Sequence, residues 1–509
     1  MKQDKYLTRK GYRLIKGNLT QQQIEKIRKE LTVQPKLKED YGKKPPSFKI
    51  FRENDTYMWI PRYYGIKNIG EPSGTAIKGD EINIKFLGTL RSYQVPITDL
   101  CLEKLHSSGG GVLNMRCASG KTAMALYIAV MLKQKTLVIV HKTFLQDQWY
   151  DRIKQFTNAR IGIIRQSKVD IEDKDIVIAM LHSISMHDYD PEIFKSFGTL
   201  IFDEVHHAPA KVFSRALRKT GFFYTLGLSA TLDRIDGLTR VIYWYIGDIM
   251  YQDNAKAEQT TTQVKQITYF SHDPQFVEKK LYTKKGLKPN MQKIITNICQ
   301  IKDRNKILVD IITILLDADR KILLLSGRIE HLKCLKTQTD ERIQETHQQY
   351  QTSFYIGEMK DYERKDSVTA DIIFASFEMA EEGLDIPDLN TLMMVTPKSS
   401  IEQSVGRIMR KQNPEIYPLI IDIIDDVSLL IYQGYKRAKF YNKRKYDISK
   451  FYMIDNIIVD QESYQRGKKK DSNIQSSSSL SSIIITEPKK QEQNEDNSED
   501  DRDTFDFID

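Results

Sequence analysis

The stretch Met115-Arg116-Cys117-Ala118-Ser119-Gly120-Lys121-Thr122 constrains the fold more than any other part of the chain. A glycine run (Gly109, Gly110, Gly111) and an apolar Val112-Leu113 precede it, and an apolar helical pattern from Ala123 to Leu132 follows. Strand, small-residue loop and helix, with Gly-Lys-Thr at the junction, form the plan of a phosphate cradle. Backbone N–H groups and the helix N-terminus attract the anion, Lys121 reaches the outer phosphates, and the Thr122 hydroxyl ligates magnesium. The full pattern has glycine where Met115 stands, so the remaining motifs must separate a phosphate loop from a chance helix start.

Around this loop, apolar runs alternate with helical patterns. Thr136-Leu137-Val138-Ile139-Val140, Ile176-Val177-Ile178-Ala179 and Thr199-Leu200-Ile201-Phe202 read as strands buried on both faces, with a helix from Phe144 to Phe156 between two of them. Alternating strand and helix with one phosphate loop predicts a doubly wound α/β domain over residues 81–250. Residues 251–290 are polar and low in periodic signal, and read as a linker or insertion. The alternation restarts with Ile322-Leu323-Leu324-Leu325, Ile372-Ile373-Phe374-Ala375, Leu392-Met393-Met394-Val395 and Leu419-Ile420-Ile421-Asp422. These runs predict a second α/β domain over 291–455 with no phosphate loop. Two such domains, one with the loop, is the layout of a motor whose nucleotide sits in the cleft between them.

Residues 1–80 read as a small accessory unit. Gln21 to Leu31 is a short helix, and Tyr57-Met58-Trp59-Ile60-Pro61-Arg62-Tyr63-Tyr64 is an aromatic, β-prone run broken by proline. A small β core is the expectation for it, with base stacking by aromatics beside Arg62 and Lys67 as the alternative. At the other end, Gly467-Lys468-Lys469-Lys470, a serine-rich stretch over 476–482 and an acidic terminus predict a disordered charged tail over 456–509.

Charge points to a polyanionic partner. The chain carries +9, yet residues 491–509 hold nine acids and one arginine, which leaves the rest at +17. Four cysteines without a Cys-x-x-Cys pair argue against zinc ribbons and a disulfide framework, and fit a reducing interior. No apolar run approaches the ~20 residues of a membrane helix, and the charged N-terminus lacks the apolar segment of a secretory signal. The expectation is a soluble, intracellular, cytoplasmic protein, with a viral factory, a virion or the nucleus as further settings and no membrane partner. Oligomeric state is left open.

Chemistry gathers at three further places. Asp203-Glu204-Val205-His206 follows the strand Leu200-Ile201-Phe202, and carboxylates at the C-terminal end of such a strand face the phosphate loop. Asp203 would hold magnesium through water, and Glu204 would orient and deprotonate the attacking water. Ser229-Ala230-Thr231 follows the apolar Leu226-Gly227-Leu228. Gln403-Ser404-Val405-Gly406-Arg407-Ile408-Met409-Arg410 puts Arg407 and Arg410 on one helical face. Two guanidinium groups delivered from a second domain to a γ-phosphate are arginine fingers, which stabilise charge developing during transfer.

With these elements in order, the chain resembles the superfamily 2 helicases in their Asp-Glu-x-His branch, over about residues 86–425. Arg91-Ser92-Tyr93-Gln94 resembles the adenine-reading element, with Gln94 as the adenine contact. Met115 to Thr122 is similar to motif I, Val140 to Trp149 to motif Ia, Asp203 to His206 to motif II and Ser229 to Thr231 to motif III. Leu325-Ser326-Gly327-Arg328 resembles motif IV. Ala375-Ser376 with Glu382-Gly383-Leu384-Asp385-Ile386-Pro387 resembles motif V, and Gln403 to Arg410 motif VI. Within the superfamily the chain looks most like the XPB-type translocases and the transcript-release helicases of large DNA viruses. Cys117, the segment Thr231 to Gly237 and the Ile60-Pro61-Arg62-Tyr63 unit carry that likeness. The chain departs from the family at Ala118, where glycine is usual, at Arg116, where proline is frequent, and at Ile235, where the XPB group has an acid.

The resemblance implies two tandem RecA-like domains, with ATP and Mg2+ as cofactors. It implies nucleotide contacts from Arg91, Gln94, Cys117, Ala118, Ser119, Gly120, Lys121, Thr122, Gly383 and Asp385. Catalytic roles fall to Lys121, Asp203, Glu204, Gln403, Arg407 and Arg410, with Thr122 and Asp203 on the metal. Backbone contacts to DNA or RNA fall to Lys142, Thr143, Ser183, Ser326, Arg328 and Ser376, with little sequence preference. His206, Ser229 and Thr231 would couple hydrolysis to movement, His206 by linking motif II to Gln403. Lys436 to Lys445, with Tyr435, Phe440, Tyr441 and Tyr446, is either a nucleic-acid track or a packed helix. The expected function is an ATP-dependent helicase or translocase on DNA in transcription or repair, with transcription machinery as a partner and RNA as the alternative track. A scaffold with a dead ATPase site would lack Lys121, Glu204 or Arg407, and the motor of a nuclease would need a carboxylate-and-lysine core that neither terminus has room for.

Overall fold

The computed structural model describes residues 5–485 apart from 37–44, 117–118, 207–209, 231–235, 254–261, 284–285, 358, 360, 384–385, 387, 400, 409–415 and 469–476. The chain divides into two compact units: Met1–Lys256 with Phe377–Pro387 and Glu402–Lys411, and Ala257–Ser376 with Asp388–Ile401 and Gln412–Asp509.

The first unit is built on an eight-stranded sheet. Its strands run, edge to edge, Lys168–Val169, Ile161–Arg165, Ile176–Met180, Thr136–Val140, Thr199–Phe202, Tyr224–Ser229, Gly110–Asn114 and Ile249–Gln252. All pair in parallel except the first two. Val, Ile and Leu dominate the central strands because helices cover both faces. Along Thr136–Val140, Leu137 and Ile139 enter the core on one face and Val138 and Val140 that on the other.

The N-terminal residues add a four-stranded antiparallel sheet in the order Lys5–Thr8, Gly11–Ile15, Tyr57–Ile60, Arg52–Glu53. Tyr12, Leu14, Met58, Ile60 and Tyr64 join the same core as Leu137 and Ile139. The aromatic run is therefore β core, and its strand ends at Ile60 because Pro61 lacks an N–H for the ladder. The chain continues instead as the helix Arg62–Ile69, where Arg62 donates to the carbonyl oxygens of Phe223 and Ser108.

The second unit repeats the plan. Its strands run Thr352–Tyr355, Ile372–Ser376, Ile322–Ser326, Thr391–Met394, Leu419–Asp425, Gln263–Phe270, Asp447–Ile454 and Ile457–Val459, parallel except for the last pair. Two expectations change here. Gln263–Phe270, in the stretch read as linker, is an interior strand paired on both sides. Its buried Gln263, Lys265 and Gln266 hid it from an apolar reading, and Gln266 Nε2 is satisfied by Asp422 Oδ2 at 3.0 Å. Of the stretch read as tail, Ile457–Val459 completes the sheet, Asp460 caps the helix Gln461–Gly467, and Leu480–Ile484 sends Ile483 and Ile484 into the core. Short apolar clusters suffice because the strand Asp447–Ile454 and the helix Lys302–Asp317 supply their partner surface. Residues 469–476 and 486–509 lie outside the described residues. The basic-aromatic stretch is a packed helix, Leu430–Lys443, with Arg437 and Tyr441 buried against Asp422.

Candidate active site

Four neighbouring parallel strands of the first sheet end on one edge. Phe202, Ser229, Asn114 and Val140 close Thr199–Phe202, Tyr224–Ser229, Gly110–Asn114 and Thr136–Val140. The phosphate loop, Asp203-Glu204, Ser229 and Lys142-Thr143 therefore collect along that edge, the usual ligand side of an open α/β sheet. Met115 N donates to Ser229 O at 2.9 Å and Asp203 N to Ile139 O at 3.0 Å, which ties the loop ends to their neighbours.

The loop turns into the helix Lys121–Leu132 at Gly120, whose φ of +77° suits glycine. A Cβ there would also stand 2.4 Å from Gln94 Nε2. Lys121 Nζ donates to Met115 O (2.9 Å) and Arg116 O (3.2 Å), and Ser119 Oγ donates to Arg116 O (2.8 Å). The ammonium thus sits over the loop's own carbonyls. Gln94 is buried and braces the loop: its Oε1 accepts from Arg91 N and its Nε2 donates to Ser119 O, both at 2.9 Å. Tyr93 OH donates to the same carbonyl at 2.9 Å. Cys117 and Ala118 lie outside the described residues.

The acid pair has distinct environments. Asp203 is buried, with Trp149 Nε1 donating to Oδ2 at 2.8 Å and Glu204 N to Oδ1 at 3.0 Å. Burial, then the charge of Glu204, push its carboxyl up to about 6, against the Trp149 hydrogen bond and the charges of Lys121 and His141. Glu204 adopts φ +46°, a left-handed conformation that costs a non-glycine residue about 1 kcal/mol. Such outliers cluster at sites where geometry is held for function. His206 Nδ1 lies 2.7 Å from Ser229 Oγ and 3.4 Å from Glu204 Oε2, so one ring nitrogen bridges the acid and the neighbouring strand end. Thr231 lies outside the described residues.

Gly383 closes the helix Phe377–Gly383, and Gln403 and Arg407 fall on the helix Glu402–Ile408. Both segments belong to the first unit with the phosphate loop. Asp385 and Arg410 lie outside the described residues.

The six residues expected on the nucleic-acid backbone separate into two kinds. Lys142 precedes, and Thr143 begins, the helix Thr143–Phe156 at the edge described above. In the second sheet Ser326 and Ser376 end adjacent strands in register. Arg328 is part exposed, and its Nη2 donates to Gln292 O at 3.1 Å and to its Oε1 at 2.6 Å. Ser183 and Ser326, however, are buried, and their hydroxyls serve the fold. Ser183 Oγ accepts from Gln166 N at 2.9 Å, while Ser326 Oγ accepts from Arg328 N and meets His331 Nδ1, both at 3.2 Å.

Two residues at the site carry no role in the motif reading. Trp149 holds Asp203, and Tyr93 holds the loop. A buried tryptophan N–H needs an acceptor, a signal present in the sequence but without a direction until the strand Thr199–Phe202 is beside its helix. Among the described residues no group of three His, Cys, Asp or Glu side chains could hold a metal ion by itself, and no helix is long and apolar enough to cross a membrane.

Comparison with known proteins agrees with this geometry. Residues 87–234 match the family described as type III restriction enzyme, res subunit. The protein "Putative ATP-dependent RNA helicase L396" of Acanthamoeba polyphaga mimivirus is 39% identical over 461 residues, covering 89% of this chain and 88% of that one. A protein of African swine fever virus (isolate Pig/Kenya/KEN-50/1950), QP509L, described in the same words, is 27% identical over 71% of this chain and 74% of its own. Among solved structures, the DNA-bound type ISP restriction-modification enzyme LlaBIII shares the fold at a TM-score of 0.50 and 16% identity, over 75% of this chain and 32% of that one. Phosphate loop, acid pair and strand order thus stand in a chain similar along nearly its whole length to a viral helicase: the chain belongs to the superfamily 2 helicases, in their viral group, and is an ATP-dependent helicase.

Proposed function

We propose that the chain hydrolyses ATP with magnesium at the edge formed by Lys121, Thr122, Asp203 and Glu204, and uses the cycle to move along a nucleic-acid backbone, DNA first, in transcription or repair. The observation that carries this reading is the convergence of the phosphate loop, Asp203-Glu204 and the His206–Ser229 pair on adjacent strand ends. Thr122 and Asp203 fit magnesium by donor chemistry, offering hard oxygens, and Asp203 has no lysine or arginine within ion-pair distance among the described residues. Magnesium, when bound, would neutralise phosphate charge as the terminal phosphoryl group transfers.

The chain's own groups do the rest. Lys121 exchanges its loop carbonyls for the outer phosphates, and the N-terminus of Lys121–Leu132 adds its dipole. Glu204 orients the attacking water and accepts its proton, held by its left-handed backbone. His206 reports that change to Ser229 on the neighbouring strand. Arg407 and Arg410 stabilise the developing negative charge, and Gln94, with Arg91, reads the base while bracing the loop. Lys142, Thr143, Arg328 and Ser376 grip phosphates, with Ser183 and Ser326 supporting from inside.

The XPB-type features around Thr231 to Gly237 and Ile60 to Tyr63 support DNA as the track and transcription machinery as the partner. RNA is the second reading, favoured by the descriptions of the mimivirus and swine fever virus relatives as RNA helicases. Steady-state ATP hydrolysis with single-stranded DNA, duplex DNA or RNA added separates them, with Glu204→Gln as the blank. Stimulation by DNA alone supports the first reading, and stimulation by RNA alone replaces it with the second. A rate equal to the blank under every condition would overturn the assignment of the site.

A further inference from the structure

Between the strand Gln263–Phe270 and the helix Met291–Ile298, the second unit carries a two-stranded antiparallel hairpin, Lys280–Thr283 against Gly286–Pro289. It forms a sheet of its own. Its root is anchored on both sides. Phe276 is buried in the core, edge-on to Tyr269 and Phe270 with ring centroids 5.7 and 5.6 Å apart. Asn290 N donates to Lys279 O at 2.6 Å while its side chain caps the following helix at Lys293 N. Ser428 Oγ donates to Glu278 Oε2 at 2.6 Å.

Beyond that root the blade meets solvent. The register sets Tyr282 opposite Leu287 and Leu281 opposite Lys288. Cross-strand partners share a face, so Tyr282 and Leu287 form one apolar face, and Leu281 lies with Lys288 on the other. Tyr282 is 82% exposed, the most exposed large apolar side chain among the described residues, with Leu287 at 63% and Leu281 at 54%. An isolated hairpin of this size gains nothing in folding from such surface, and contiguous exposed apolar area marks an interaction site. The surrounding charge says with what. Lys279, Lys280 and Lys288 lie on the hairpin and its approach, against a single acid, Glu278, already engaged by Ser428 and by Lys280 at 3.4 Å. Ring and aliphatic faces offered between ammonium groups match unpaired bases strung on phosphates: each base has a face to stack, and each lysine a phosphate to meet.

We propose that this hairpin is a stacking contact for an unpaired nucleic-acid strand, with Tyr282 and Leu287 against base faces and Lys280, two residues from Tyr282 and so on the same face, against a phosphate. The proposal rests on the nucleic-acid reading above and adds to it the place where unpaired bases are held. The test is anisotropy of a labelled single-stranded oligonucleotide and of a blunt duplex, at one salt concentration, with the full chain and two variants, Tyr282→Ala/Leu287→Ala and Tyr282→Trp. The double variant should bind the single strand about tenfold more weakly, Tyr282→Trp should bind it as tightly as the parent, and duplex binding should hold. Thermal melting checks that both variants are folded. Single-strand affinity within about twofold of the parent in the double variant would overturn the proposal, as would an equal loss on the blunt duplex. A parent chain that binds neither oligonucleotide removes the nucleic-acid reading itself, and the hairpin contact with it. A parent that binds both, with a double variant indistinguishable from it, removes only the hairpin contact.

Discussion

Each unit buries carboxylates on or just past an interior parallel strand, and the two units treat them in opposite ways. In the second unit Asp425 accepts Arg304 Nε at 2.7 Å and Nη2 at 2.9 Å, and Asp422 accepts Arg437 Nε at 2.8 Å and Tyr441 OH at 3.1 Å. Both pairs are almost fully buried, and each carboxylate takes an arginine as its partner. In the first unit Asp203 is also buried but, among the described residues, receives only a tryptophan N–H and a backbone N–H, beside a second acid. A buried carboxylate joined to arginine is part of the scaffold. One left with neutral donors and pushed up to about 6 is held ready for a cation.

The comparison can be broken most sharply at the chemistry. Lys121→Ala and Glu204→Gln should each cut ATP hydrolysis by about a thousandfold, with Glu204→Gln still binding nucleotide in a filter or fluorescence assay. Turnover near the parent rate in either variant would dissolve the distinction between the two edges. Next come the carboxylates themselves. Arg304→Met strands Asp425 and should cost about 3–5 kcal/mol in denaturant unfolding. Asp203→Asn should abolish hydrolysis yet melt at or above the parent temperature in magnesium-free, nucleotide-free buffer. The sign follows from the raised carboxyl: the folded state disfavours the charged form, so above pH about 6 Asp203 costs stability that asparagine does not. Comparable destabilisation by both substitutions would mean that Asp203 is scaffold too.

Trp149→Phe removes one hydrogen bond to a carboxylate and keeps most of the packing. About 1.5–3 kcal/mol is at stake, and hydrolysis should fall about tenfold, chiefly in kcat. Smallest are the phosphate contacts. Lys142→Ala and Arg328→Ala should each weaken nucleic-acid binding uniformly across sequences and lower the salt slope by about one. Ser183→Ala should leave that slope unchanged, since its hydroxyl is occupied by Gln166 N.

The alternation of apolar runs was legible in the central strands of both sheets, because buried parallel strands need Val, Ile and Leu on both faces, but not in outer strands such as Ile161–Arg165, Ile249–Gln252 and Thr352–Tyr355. The exceptions are instructive. Gln263–Phe270 reads as polar, and becomes a strand because it is paired on both sides, with Asp422 placed to receive its buried Gln266. The tail's Ile483 and Ile484 look too few to fold, and find a core already made by others. At the site, Gly120, Lys121, Asp203 and Glu204 were legible by spacing, whereas Ser183 and Ser326 looked like surface contacts, since a serine's type says nothing of its burial.

What the sequence by itself determined is therefore the chemistry on offer: a glycine that can turn the phosphate loop, an ammonium beyond it, paired acids after an apolar strand. These are local properties, set by residue type and spacing along the chain. Tertiary structure alone decided which of those groups are free to act. Trp149 reaches Asp203 across 54 residues, Arg304 reaches Asp425 across 121, and His206 meets Ser229 across 23. Whether a buried acid is neutralised or left waiting depends on which donor arrives, and that is a matter of packing between strands distant in sequence.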